Sequence, residues 1–121
     1  MDMTTANRIF PIADFLKSSD DVPVRSVVLE TEHATIVAWY VSAGQEIAAH
    51  IHPHGQDTWT VLCGNADYYQ GDGKTIKLQA GNIAVAHAGQ VHGAKNTDAQ
   101  QPFIFISVVT PANAGYELAE K

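Results

Sequence analysis

Along most of the chain, short runs of β-branched, aromatic and other apolar residues alternate with breaks built from glycine, proline and asparagine. Read by period and by turn signals, the runs predict strands over Val24–Thr31, Ala34–Val41, Glu46–His52, Asp57–Cys63, Ala66–Gln70, Lys74–Gln79, Ile83–His87 and Val91–Asn96. A last run, "FIFISVVT", is opened by Pro102. The "GDG" between Gln70 and Lys74 is a strong hairpin signal, because glycine accepts the positive φ that tight two-stranded turns require. Short strands at this spacing indicate an all-β sandwich or barrel. Helical patterning is confined to "IADFLKSS" near the N-terminus, which reads as one helical turn or a short helix. "NAGYELAEK" at the other end reads as a loose tail or a short terminal helix.

With no repeat, low-complexity tract or linker, the 121 residues predict a single domain, residues 1–121, with its core roughly over 24–110. A strand wetted on one face alternates in polarity. The run Phe103–Val109 hardly alternates, so both of its faces are expected to be covered, the outer one by a second subunit in a homodimer.

Composition narrows the partners. Seven basic against thirteen acidic residues give a net charge of −6, which argues against nucleic-acid backbones and anionic membranes. No apolar run approaches the roughly 20 residues of a membrane span. "MDMTTANRIF" lacks the basic segment and long apolar stretch of a signal peptide. Cys63, alone, has no disulfide partner within the chain. These features predict a cytoplasmic protein.

The chemistry concentrates in "HIHPHGQD", His50 to Asp57, which holds three of the six histidines. Side chains alternate across a strand, so His50 and His52 point the same way, roughly 7 Å apart. Two imidazoles so placed can share a metal ion, and Asp57, across the "PHGQ" turn, can return beside them on the neighbouring strand. Imidazole with carboxylate suits Zn, Fe, Mn, Ni or Cu. "HPH" is equally the composition of a solvated turn, and a metal site needs a remote third histidine. "GNIAVAHAGQVHGAKN" offers His87 and His92.

At this point the spacing resembles that of the cupins. Their first motif, G(X)5HXH(X)3,4E(X)6G, runs through Gly44, His50, His52, Asp57 and Gly64, with Asp where Glu is usual. Their second, G(X)5PXG(X)2H(X)3N, runs through Gly81, Gly89, His92 and Asn96, with His87 where Pro is usual. The resemblance implies a double-stranded β-helix, or jelly-roll barrel, with a site in its mouth. It also implies a divalent transition metal held by His50, His52, Asp57 and His92. Asp is one methylene shorter than Glu, so Gln56 and His54 compete with Asp57 for the fourth position, and a fourth position filled by no group of the protein is a further alternative. Gly44, Gly64, Gly81, Gly89 and Asn96 are expected to be structural, and His87 a tolerated loop residue.

Cys63 and Trp59 are expected in the core, and His33 at the surface. Trp39, Tyr40, Tyr68 and Tyr69 are divided between the mouth and an interface. No basic residue falls within either motif before Lys95, which disfavours a strongly anionic substrate unless Arg8 or Arg25 reaches the site. A three-histidine, one-carboxylate site leaves positions open on a metal that prefers five or six ligands. The function so implied is a metal-dependent enzyme, an oxygenase or a Lewis-acid lyase or isomerase, acting on a small organic molecule. The competing reading is a non-catalytic cupin that binds or senses a metal or small ligand. No catalytic acid or base stands apart from the candidate ligands.

Overall fold

The computed structural model describes residues 7–121, so the "MDMTTA" part of the signal-peptide reading lies outside the described residues. A 3-10 turn, Ile12–Phe15, precedes ten strands: β1 Val24–Glu30, β2 Thr35–Val41, β3 Glu46–Ile51, β4 Gln56–Cys63, β5 Asn65–Gly71, β6 Lys74–Gln79, β7 Ile83–Ala86, β8 His92–Lys95, β9 Phe103–Thr110 and β10 Glu117–Leu118. The first nine sit where the apolar runs place them, within one or two residues at each end. β10 corrects the expectation for the C-terminus. "NAGYELAEK" is neither loose nor helical, because Glu117 and Leu118 pair with Ile51 and His50 on β3.

The strands form two antiparallel five-stranded sheets, ordered β1-β2-β9-β4-β7 and β10-β3-β8-β5-β6. β4 shows how the pattern of residues builds this double-stranded β-helix. Asp57, Trp59 and Val61 are buried on its inner face, while Gln56, Thr58 and Thr60 face outward. The inner faces meet in a core of Val41, Ile47, Val61, Leu78 and Phe103 around Trp59, which stacks on Phe105 at 4.0 Å and meets the edge of Tyr68 at 5.3 Å. Cys63 departs from expectation. A register shift after Val61 leaves it half-buried at the strand end rather than in the core.

Two glycines are required by close approach of the backbone. A Cβ on Gly64, at φ +75°, would stand 2.1 Å from the Pro102 carbonyl oxygen, where the turn after β4 crosses the start of β9. A Cβ on Gly93 would stand 2.7 Å from the Ile47 carbonyl oxygen, which would pry β8 from β3 beside His92. Asn96 closes the loop after β8. Its buried amide donates to the carbonyls of Val41 at 3.0 Å and Gln101 at 2.9 Å, and its side-chain oxygen accepts from the Asp98 N–H at 2.9 Å. A buried amide satisfied on this many sides pins the end of one sheet to the other.

Candidate metal centre

His50 on β3 lies directly opposite His92 on β8, with ring centroids 4.1 Å apart. His52 follows immediately after β3, its ring 5.1 Å from each of the other two. Asp57 completes the group from a different direction than expected. β4 belongs to the opposite sheet, so the carboxylate reaches the histidines across the barrel rather than from a neighbouring strand. One ligating atom from each of the four residues lies within 4.8 Å of every other. His50, Asp57 and His92 are buried and His52 is half-buried.

The other candidates stay outside this group. Gln56 is adjacent to Asp57 on a strand and so faces outward, where its amide donates to the Thr58 hydroxyl at 3.3 Å. His54 is exposed in the turn. His87 is exposed in the loop after β7, and its backbone N–H donates to the Gln90 side chain at 2.9 Å. His33 lies at the surface beside Glu32. Trp39 and Trp59 both line the cavity above the cluster, Trp59 as a core residue as well.

Each clustered imidazole is oriented by a backbone carbonyl. The Nδ1–H groups of His50, His52 and His92 donate to the carbonyls of Ala48 at 2.8 Å, Gly115 at 2.7 Å and Gln90 at 3.0 Å. A proton held on Nδ1 leaves Nε2 of a neutral ring with a bare lone pair. The Nε2 atoms of His92 and His52 face one oxygen of Asp57 at 3.0 and 3.3 Å. Lone pairs so opposed repel unless a cation lies among them, either protons on the rings or a metal ion. Adjacent ligands on an ion with bonds of about 2.1 Å stand about 3 Å apart, so the donor set and its spacing fit a metal. The other Asp57 oxygen accepts from the Ser107 hydroxyl at 2.5 Å.

Ser107 was not singled out as a site residue, yet it had a signal. It is the only polar residue between Phe103 and Val109, on the parity that faces inward. Tyr116 gave no signal. It arrives with the C-terminal segment, whose path depends on β10, and its ring lies 5.0 Å from His50 and 6.2 Å from His52.

Burial alone would raise the Asp57 carboxyl. Hydrogen bonding with His52, His92 and Ser107 outweighs it and holds the group well below the usual carboxylate range. Burial pushes His50 down to about 4, helped by the charge of His92. His52 is raised, chiefly by its contact with Asp57. A metal taken up by this cluster would have to displace the proton His52 holds, so its affinity is expected to climb about tenfold per pH unit below the raised His52 value and to level off above it. Titrations by calorimetry between pH 5.5 and 8.5 read this slope. A flat profile would mean that no proton leaves His52.

His50, His52 and Asp57 lie in the wall of a cavity of about 550 Å³, with Trp39, Ile47, Trp59 and Tyr116 also lining it, and His92 is buried beside them. Among the described residues, no helix is long and apolar enough to cross a membrane.

The fold and the site together define a barrel of the cupin class. The chain belongs to the family described as Cupin domain, whose model matches residues 37–109. It is similar to a conserved protein with a double-stranded β-helix domain from Klebsiella pneumoniae, with 55% identity over 96% of this chain and 100% of that one, and a TM-score of 0.91. KdgF from Halomonas shares the fold at 19% identity, over 86% of this chain and 94% of that one, with a TM-score of 0.72. So does the polyketide cyclase RemF from Streptomyces resistomycificus at 16% identity, over 84% and 73%, also with a TM-score of 0.72. No curated protein matches the chain.

Proposed function

We propose that this cupin holds one divalent transition metal through His50, His52, Asp57 and His92 and uses it to act on a small organic molecule, as an oxygenase or as a Lewis-acid lyase or isomerase. The observation that carries the reading is the convergence of three carbonyl-oriented imidazoles and one carboxylate, with His50, His52 and Asp57 of that group lining a cavity. A structural site is closed by protein ligands, whereas this one faces a cavity large enough for a substrate.

When bound, the ion would polarise a substrate oxygen or lower the pKa of a water, and a redox-active ion would add oxygen chemistry. The protein's own groups do the rest. The Ala48, Gly115 and Gln90 carbonyls keep the imidazoles facing inward, and Ser107 orients the Asp57 carboxylate. Trp39, Trp59 and Ile47 present apolar surface and exclude water around the reacting centre.

Elemental mass spectrometry on untagged protein tests the reading. Near one equivalent of Zn, Fe, Mn, Ni or Cu supports it and names the metal. Protein that takes up none, even after reconstitution, overturns it.

The chain is also proposed to act as a cytoplasmic homodimer. On the outward face of β9, Ile104 is buried and Ile106 and Val108 are half-buried, while Ile83 and Val85 on the neighbouring outer edge are exposed. Light scattering is expected to give twice the chain mass, and the Ile83→Asp/Val85→Asp double variant is expected to give a monomer. A wild-type monomer at micromolar concentration would sink this assignment.

A further inference from the structure

We propose that Arg25 anchors a carboxylate in the cavity, so that the ligand is a small organic acid with an apolar body. The inference rests on the cavity being a small-molecule site and deepens that reading by naming the substrate class.

Of the seven lysines and arginines in the chain, Arg25 alone lines this cavity. It sits on β1 in register with Trp39 on β2. Among the described residues no carboxylate lies within 4.0 Å of it, whereas Lys77 and Lys121 are paired with Asp67 and Glu46. The cavity contains another acid that could have neutralised it. Glu30 instead accepts a hydrogen bond from the Thr35 hydroxyl at 3.1 Å. Arg25 is exposed and has no acidic partner among the described residues, so its guanidinium is open to an anion entering the cavity. Its planar fork of N–H donors matches a carboxylate in two parallel hydrogen bonds.

The surroundings restrict the anion further. Arg25 is the one lysine or arginine in the wall and its planar fork pairs with one carboxylate group. Val37, Trp39 and Val109 offer apolar area to the rest of the ligand, and Trp39 is itself held by stacking on Phe105 at 6.2 Å. Arg25 and His52 line the same cavity. A ligand gripped at Arg25 therefore extends past aromatic and aliphatic walls toward the histidine cluster, and its carboxylate is kept apart from the group presented there.

The test compares phenylacetate with phenylacetamide, which has nearly the same shape and no charge, by calorimetry and by NMR shifts of cavity residues. Wild type, Arg25→Gln and Arg25→Lys are measured with the metal loaded and after its removal. A charge-assisted pair predicts at least about tenfold preference for the acid in the wild type, with or without metal. The preference should fall to within about twofold in Arg25→Gln and be partly kept in Arg25→Lys. Should the protein hold no metal at all, the same pattern still establishes Arg25 as the anchor while the metal reading fails. A preference that survives Arg25→Gln and disappears with the metal would overturn the proposal, because the carboxylate would then be a metal ligand. Failure of both probes to shift cavity residues would overturn it as well.

Discussion

His92→Ala is expected to empty the proposed metal site. Elemental analysis should fall from near one equivalent to under about a tenth after dialysis. The reason is geometric. His92 is 1% exposed, sits opposite His50 and supplies one of the two Nε2 atoms that face Asp57. No neighbouring side chain can take over its place in a wall this closely packed. Groups that only orient ligands typically contribute about 10- to 100-fold in metal affinity. Ser107→Ala should fall in that range and His92→Ala beyond it. His54→Ala and Gln56→Ala, both outside the cluster, should retain the full equivalent, and so should the exposed His87→Ala. His92→Ala leaves a buried void, so His52→Ala, at a half-buried position, separates loss of ligation from loss of fold. If His92→Ala and His52→Ala both keep the metal, the ion binds elsewhere.

That contrast among histidines also marks what was legible beforehand. The pairing of His50 with His52 needs only strand alternation, and Gln56 is excluded by that same alternation once Asp57 faces inward. His92 became visible only through the resemblance to the second cupin motif, in which Gly81, Gly89 and Asn96 fall at the expected spacing. Other features arise from how the barrel closes, which no local pattern encodes. Nothing in "PHGQ" states that the chain changes sheets there, so the expected neighbour of His50 and His52 comes from across the core. β10 has only two residues, with no alternation to recognise, and its pairing to β3 is what brings Tyr116 over the imidazoles. Arg25 was legible as a basic residue and not as a cavity residue, because its inward parity depends on the register of β1 against β2.

Closure also predicts where the barrel is most vulnerable. Trp59→Ala is expected to destabilise the protein by about 3–5 kcal/mol, more than any substitution confined to the metal ligands' polar contacts. Trp59 is 2% exposed and belongs to the first sheet, yet it touches both. It stacks on Phe105 within its own sheet, meets Tyr68 of the second sheet edge-on, and lies 5.8 Å from His92. Truncation removes the wedge between the sheets together with the floor under His92. For a chain of this size each kcal/mol moves Tm by about 3–6 °C, so thermal melts should drop by about 9–30 °C. Trp59→Phe is expected to cost much less. Among the described residues the buried indole N–H has no hydrogen-bond partner, a state that itself costs about 1–3 kcal/mol, and phenylalanine removes that donor while keeping most of the ring. If Trp59→Phe destabilises as strongly as Trp59→Ala, the N–H has a partner in solution, and the cavity beside it is where that partner would have to be found.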